Sequence, residues 1–288
     1  MRVVVVGDTG LDVVARHEGP IVYGGDSRSG VRLTGGGAGA NTAAWLVAAG
    51  VETTLVARVG DDASGRLIAS ELAAVGVSCA FAVDPDAPTC VVVVLVDGSG
   101  QRSMLPDRGA MARFAPEDVD PAVLAGADHL HLSGYVLLDP SSRQAGLAAL
   151  AAAKEAGLTT SVDPQAAALI TSPEAFLDDV RGVDLLMPNE AELLALTGQP
   201  EPTAARALLG TVGEVVVTSG LGGATWVSAA GVVSVPAEEA ECVDSTGAGD
   251  AFDAGVLAAW LRGESTVEVL RSGVRLGARA VTKVGAQP

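Results

Sequence analysis

Apolar residues fall along this chain in short valine- and leucine-rich runs separated by longer alanine-rich stretches. Residues 3–6, 53–59, 159–162, 185–187 and 215–218 are mostly apolar or β-branched runs of strand length, as expected of strands buried on both faces, and residues 129–133, where His129 and His131 alternate with leucines, read as a further strand. Between them, residues 41–49, 64–74, 141–156 and 190–196 read as helices. This alternation predicts an α/β fold with a mostly parallel central sheet flanked by helices. Two segments break the rhythm. Residues 14–33 are rich in glycine, and residues 89–105 read as a hairpin turning at Asp97-Gly98-Ser99-Gly100. They are expected to form a small β lid on one domain covering residues 1–288, since no repeat, charge block or low-complexity linker marks a further module.

The densest chemical signal is Cys242-Val243-Asp244-Ser245-Thr246-Gly247-Ala248-Gly249-Asp250-Ala251-Phe252. The helix-favouring run that follows predicts a helix starting near Gly247, whose first N–H groups have no intrahelical partner and whose dipole attracts phosphate. Glycines at 247 and 249 leave the backbone open to phosphate oxygens. Asp250, one turn in, is expected to stay ionised and to accept a hydroxyl proton during phosphoryl transfer. Read without that chemistry, the same run is a helix start with acidic capping residues.

Composition narrows the function classes. The 288 residues are 49% hydrophobic, enough for one large core, and carry a formal net charge of −17, which disfavours nucleic-acid or anionic-membrane partners. Three scattered cysteines, Cys79, Cys90 and Cys242, point to a reducing, cytoplasmic setting without a disulfide framework or zinc site. The only lysines, Lys154 and Lys283, end no Walker-type loop, and the first strand leads into Gly7-Asp8-Thr9-Gly10-Leu11-Asp12 without the dinucleotide-binding glycine turn. His17, His129 and His131 have no nucleophile at a relay spacing.

Four motifs in order carry a resemblance. Asp244 to Phe252 resembles the carboxy-terminal signature of the ribokinase-like, or PfkB, carbohydrate kinase family. Gly36-Gly37-Ala38-Gly39-Ala40-Asn41 is similar to its amino-terminal glycine-rich signature, Asn189-Glu190-Ala191-Glu192 to its Asn-x-x-Glu motif, and Thr218-Ser219-Gly220-Leu221-Gly222-Gly223 to its nucleotide-side loop. The resemblance implies a three-layer ribokinase-like fold and an ATP-dependent kinase acting on a primary hydroxyl of a small sugar or sugar acid, of the ribokinase, fructokinase or 2-keto-3-deoxygluconate kinase type. A nucleoside kinase and a non-catalytic sugar or nucleotide sensor remain the alternatives.

The resemblance also assigns roles. Asp250 is the base, and the amides of Gly247, Ala248 and Gly249 stabilise the transferred phosphoryl group. Asp12, at the end of the first strand, with Gly36, Gly37 and Asn41 binds the acceptor; Asp12 alone would read as an Asx turn, and Asn41 as a helix cap. Asp163, Asn189, Thr218, Gly220, Gly223 and Gly277 face the nucleotide, with adenine against Val243 and the helix holding Gly273 and Gly277. Glu192 organises Mg²⁺ through water, although Asn189 and Glu192 equally fit a capping box. Asp244 and Thr246, with the carbonyls of Ala280, Lys283 and Gly285, match a monovalent-cation site, K⁺ being the expected ion. Apolar lid walls are expected from Val22, Tyr23, Cys90, Val92 and Met104, and a homodimer through the lid edge. Ala38 departs from the lysine that several relatives carry there.

Overall fold

Val3, Val4, Val5 and Val6 have no solvent exposure, because their strand, β1 (Arg2–Val6), is paired on both edges and covered on both faces. Each such valine contributes about 1.5–3 kcal/mol through burial. The computed structural model describes residues 1–98 and 102–288 and, of Arg102, the backbone. The remaining strands are β2 (Gly10–His17), β3 (Ser29–Gly36), β4 (Glu52–Gly60), β5 (Ser78–Asp84), β6 (Val91–Val96), β7 (Arg102–Asp107), β8 (His129–Ser133), β9 (Thr159–Asp163), β10 (Leu185–Leu186), β11 (Glu214–Thr218), β12 (Ala224–Ser228) and β13 (Gly231–Val235). The α-helices are α1 (Ala38–Ala48), α2 (Ala63–Ala74), α3 (Pro121–Leu124), α4 (Tyr135–Leu138), α5 (Arg143–Glu155), α6 (Pro173–Asp179), α7 (Glu190–Thr197), α8 (Ala248–Leu261) and α9 (Thr266–Ala280).

Nine strands form the main sheet in the order β13-β12-β11-β10-β9-β8-β1-β4-β5. It is parallel from β11 to β5, and β12 and β13 turn antiparallel at one edge. Each strand expected from the sequence lies within a residue of its expected limits. The sheet also includes β5 and the β12–β13 hairpin, whose shorter or interrupted apolar runs left them unassigned. After β1 the chain builds outwards through β4 and β5, then returns to β8 on the other side of β1. That reversal opens a crevice at the carboxyl ends of β1 and β8, where ligands of open α/β sheets bind.

A second sheet, ordered β3-β2-β6-β7, stands apart. It corrects two expectations. Its first strand begins at Gly10 rather than residue 14, because Leu11 N–H donates to the Cys90 carbonyl at 2.9 Å and β2 pairs with β6 in parallel from there. Asp12 therefore belongs to β2 and not to the end of β1. Val22, Tyr23 and Met104 are exposed and line neither of the two cavities described below, while Cys90 and Val92 are partly buried. Of the expected hairpin turn, Ser99 and Gly100 lie outside the described residues.

The core also holds a polar knot. His129 Nε2 and His131 Nδ1 both lie 2.8 Å from Ser161 Oγ, and His129 Nδ1 lies 2.8 Å from Thr159 Oγ1. Burial pushes both imidazoles down, to about 3 and about 4, so they stay neutral and structural at physiological pH.

Candidate active site

The backbone entering α8 sets the site. Gly247 takes φ 74°, a left-handed conformation, and a β-carbon there would lie 2.5 Å from the Ala286 carbonyl oxygen. Only glycine fits, so the approach to the helix is fixed. Ala286 is itself held by Trp45 Nε1, which donates to its carbonyl at 2.8 Å. The N-cap of α8, Gly247, has no side chain to cap the helix, and the helix start borders a cavity of about 200 Å³ lined by Gly247, Ala248, Gly249 and Asp250 on one side and Asp163, Asn189 and Glu192 on the other.

Asp250, third residue of α8, is buried. Its Oδ2 accepts from Asn41 Nδ2 at 2.9 Å, and its Oδ1 lies 3.5 Å from Gln165 Nε2. Burial pushes its carboxyl up to about 7, the Asp8 charge adds to the rise, and the two amides oppose it. The expectation of a fully ionised aspartate is corrected accordingly. Desolvation outweighs the hydrogen bonds from Asn41 and Gln165, leaving a carboxyl that changes charge near neutral pH.

Asn41 is brought to the site by α1 but donates to Asp250, while its Oδ1 is buried without a partner among the described residues. A buried orphan acceptor is costly unless a ligand hydroxyl satisfies it. Asp12 projects from β2 against Gly36, where a β-carbon would meet its carboxylate at 2.5–2.6 Å. Its carboxyl is raised to about 6, first by burial and then by Asp8. Gly37, at φ 96°, packs on the backbone of Asp8 and Thr9.

Across the cavity from α8, Asn189 and Glu192 form the reciprocal capping box of α7: Asn189 Oδ1 accepts from Glu192 N–H at 3.0 Å, and Glu192 Oε2 from Asn189 N–H at 2.9 Å. Both residues also border the cavity, so the cap forms part of its wall. Asp163, at the end of β9, is pushed well above the carboxylate range, first by burial and next by Glu192. The buried Asp253 carboxyl on α8 is pushed up likewise, first by burial and next by the charge of Asp163. Thr218 lies beside Asn189 through an isolated parallel bridge. Gly220 opens to space, whereas Gly223 at φ 89° makes the turn into β12 and Gly277 packs against the first turn of α8. A second cavity, of about 410 Å³, lies between residues 234–238 and α9, with Pro236, Val267 and Val274 among its walls.

The candidate cation residues partly converge. Asp244 Oδ1 accepts from Thr246 Oγ1 at 2.6 Å and Asp244 Oδ2 from Gly285 N–H at 3.1 Å. The Lys283 side chain turns away, its Nζ 5.6 Å from the Trp45 ring centroid, and Ala280 is buried.

Four site residues escaped the sequence reading. Asp8, just beyond β1, accepts from Ala38 N–H at 3.0 Å and Ser133 Oγ at 3.0 Å, joining the two strand ends at the crevice. Its place directly after a buried parallel strand was the available signal. Tyr135 opens α4, and its phenol is raised to about 12 by burial and then by Asp8 and Asp250. Gln165 and Asp253 carried no sequence signal, because only the chain's return to α8 brings them together.

Comparison with known proteins agrees with this geometry. The model of the pfkB family carbohydrate kinases matches residues 1–288. An ATP-dependent ribose-1-phosphate kinase of Halopiger xanaduensis is 31% identical over 290 residues, covering 100% of this chain and 94% of the relative. The crystal structure of adenosine kinase from Sinorhizobium meliloti superposes with a TM-score of 0.90 at 26% identity, covering 99% of this chain and 95% of that one. A putative ribokinase II from E. coli, in complex with ATP and Mg²⁺, has a TM-score of 0.90 at 27% identity, covering 99% and 94%.

Proposed function

Because this chain belongs to the pfkB family of carbohydrate kinases and is an ATP-dependent phosphotransferase, we propose that it transfers the γ-phosphoryl group of ATP to a primary hydroxyl of a small sugar or sugar acid, with Asp250 as general base. The observation that carries this reading is the placement of Asp250: a buried carboxyl near neutral pKa, oriented by an amide, at the edge of a cavity walled by the uncapped start of α8. In this reading the acceptor lies between the crevice and the second sheet, which acts as lid. Asp12 accepts from ring hydroxyls and Asn41 Oδ1 takes one more donor. The hydroxyl loses its proton to Asp250 as it attacks phosphorus, and the amides of Gly247, Ala248 and Gly249 meet the charge that develops on the phosphoryl oxygens. Lid closure excludes the water that would otherwise hydrolyse ATP.

The oxygen-only donor set of Asp163, Asn189 and Glu192 fits Mg²⁺, which would neutralise phosphate charge between them and the nucleotide. The cavity on α9 suits the adenine ring through Pro236, Val267 and Val274, displaced from the Val243 position expected from the sequence. A K⁺ site at Asp244, Thr246 and the neighbouring carbonyls, a cytoplasmic location and a lid-to-lid homodimer belong to the same proposal. Supporting them are the Asp244 links, three free cysteines, and Val31, Leu33 and Leu105, exposed on one face of the second sheet. No helix among the described residues is long and apolar enough to cross a membrane.

A nucleoside acceptor is the second reading, favoured by Tyr135 at the site. An ADP-release screen with Mg-ATP over ribose, fructose, 2-keto-3-deoxygluconate, their phosphates and common nucleosides tests the choice. Release stimulated by a sugar or sugar acid is expected, release stimulated only by nucleosides selects the second reading, and no acceptor-dependent release contradicts both.

A further inference from the structure

Gln165 is the one non-glycine residue with a positive φ, 69°, among the described residues. An unbranched side chain seldom takes that conformation, and it persists where surrounding contacts impose it, most often at functional sites. Asp163 imposes it here from both ends: Oδ1 accepts from the Gln165 backbone N–H at 3.0 Å, and Oδ2 from its side-chain Nε2 at 2.6 Å. The second hydrogen on Nε2 faces Asp250 Oδ1 at 3.5 Å, the outer limit of a hydrogen bond.

The contacts close a ring. Asp253 lies one turn beyond Asp250 on α8, and its buried carboxyl interacts with that of Asp163 at the end of β9. Asp163 grips Gln165, and Gln165 returns to Asp250. With Asn41 on Oδ2, each oxygen of Asp250 faces one carboxamide donor, carried by α1 on one side and by the loop after β9 on the other. Asn41 alone would leave the carboxylate free to rotate about its Cβ–Cγ bond.

We infer that Gln165 is a positioning residue for phosphoryl transfer: its carboxamide, thrown into the cavity by a left-handed backbone and anchored on Asp163, fixes the plane of the Asp250 carboxylate for the attacking hydroxyl. The inference rests on Asp250 being the base. Catalytic hydrogen bonds that are long in the unliganded state tighten when substrates bind, so the 3.5 Å contact shortens as the site closes. A turn residue of purely structural value would be better served by glycine at this φ.

That difference supplies the test. Gln165→Gly suits the backbone and removes the amide, whereas Gln165→Glu keeps the length and removes the donors. With Asp250→Asn as a parallel control, kcat, KM for ATP, melting temperature and the acid limb of the kcat profile are measured with the best acceptor. Gln165→Gly is expected to melt within about 2 °C of the parent and to lose about 10- to 100-fold in kcat. Its KM for ATP should change less than about threefold, and its acid limb should move up by roughly one pH unit, because the ionised base has lost a donor. Gln165→Glu should move the limb further, since a second carboxylate then faces Asp250. Parental kcat in Gln165→Gly, or a reduced kcat with an unmoved acid limb, overturns the inference. If Asp250→Asn keeps full turnover, the assignment of the base fails instead, and the two failures are distinguishable.

Discussion

Replacing Asp250 by asparagine should make the protein more stable at the pH where it makes it inactive. The carboxyl titrates near 7 in the fold against 3.8 for a solvated aspartate, a gap of roughly three units worth about 4 kcal/mol. The sign follows from the direction of the shift. An acid whose folded pKa is raised binds its proton more tightly when folded, so the wild type loses stability as pH climbs through 3.8 and has lost all of this contribution above about 7. Asparagine does not titrate and escapes the loss. Against this stands a constant cost of about 1–2 kcal/mol, because a carboxamide can accept from only one of the two donors, Asn41 and Gln165, that face the carboxylate. The net at pH 8 is about 2 kcal/mol in favour of the variant. For a chain of this length 1 kcal/mol moves the melting temperature by about 2 °C. Thermal unfolding without nucleotide should therefore show the variant-minus-wild-type difference rising by about 6 °C between pH 4.5 and pH 8, whatever its offset. Parallel curves would refute the claim that Asp250 is held in a desolvated, catalytically poised state.

Other outcomes follow from neighbouring geometry. A β-carbon at position 249 meets nothing within 4 Å, so Gly249→Ala should unfold with the wild type yet raise KM for ATP at least about 10-fold by occupying phosphate space. Gly247→Ala, which forces φ 74° and the Ala286 carbonyl on a side chain, should lose about 1–3 kcal/mol of stability in denaturant titration. Activity should rise in K⁺ relative to a bulky organic cation at equal ionic strength, and equal rates would remove the monovalent-cation site. Leu33→Asp, on the apolar face of the second sheet, should shift sedimentation from dimer to monomer, and an unchanged sedimentation coefficient would remove the lid interface.

The parallel core was legible because strands buried on both faces, such as β1 and β11, write uninterrupted valine runs into the sequence. The start of α8 was legible because a glycine-rich turn before a helix has few other uses. Edge strands were harder: β5 has only one tightly buried residue, and β13 is half-exposed, so neither needs a strong pattern. Site residues that act through long-range contacts were illegible for the same physical reason. Asp8, Gln165 and Asp253 acquire meaning only where β1, β9 and α8 meet, and Gln165 lies 85 residues along the chain from the Asp250 it faces. Asn189 and Glu192 show the converse, since the sequence offered a cap and a metal-organising pair as alternatives, and the fold uses the pair as the cap while both residues border the cavity.

The most direct measurement is acceptor-dependent ADP release by Asp250→Asn beside the wild type, at pH 8 with saturating Mg-ATP and with nucleotide binding measured on the same samples. The account predicts that the variant binds ATP within a few-fold of wild type and turns over at least about 1,000-fold more slowly. Acceptor-dependent release at the wild-type rate would show that the proton leaves by another route and would contradict it.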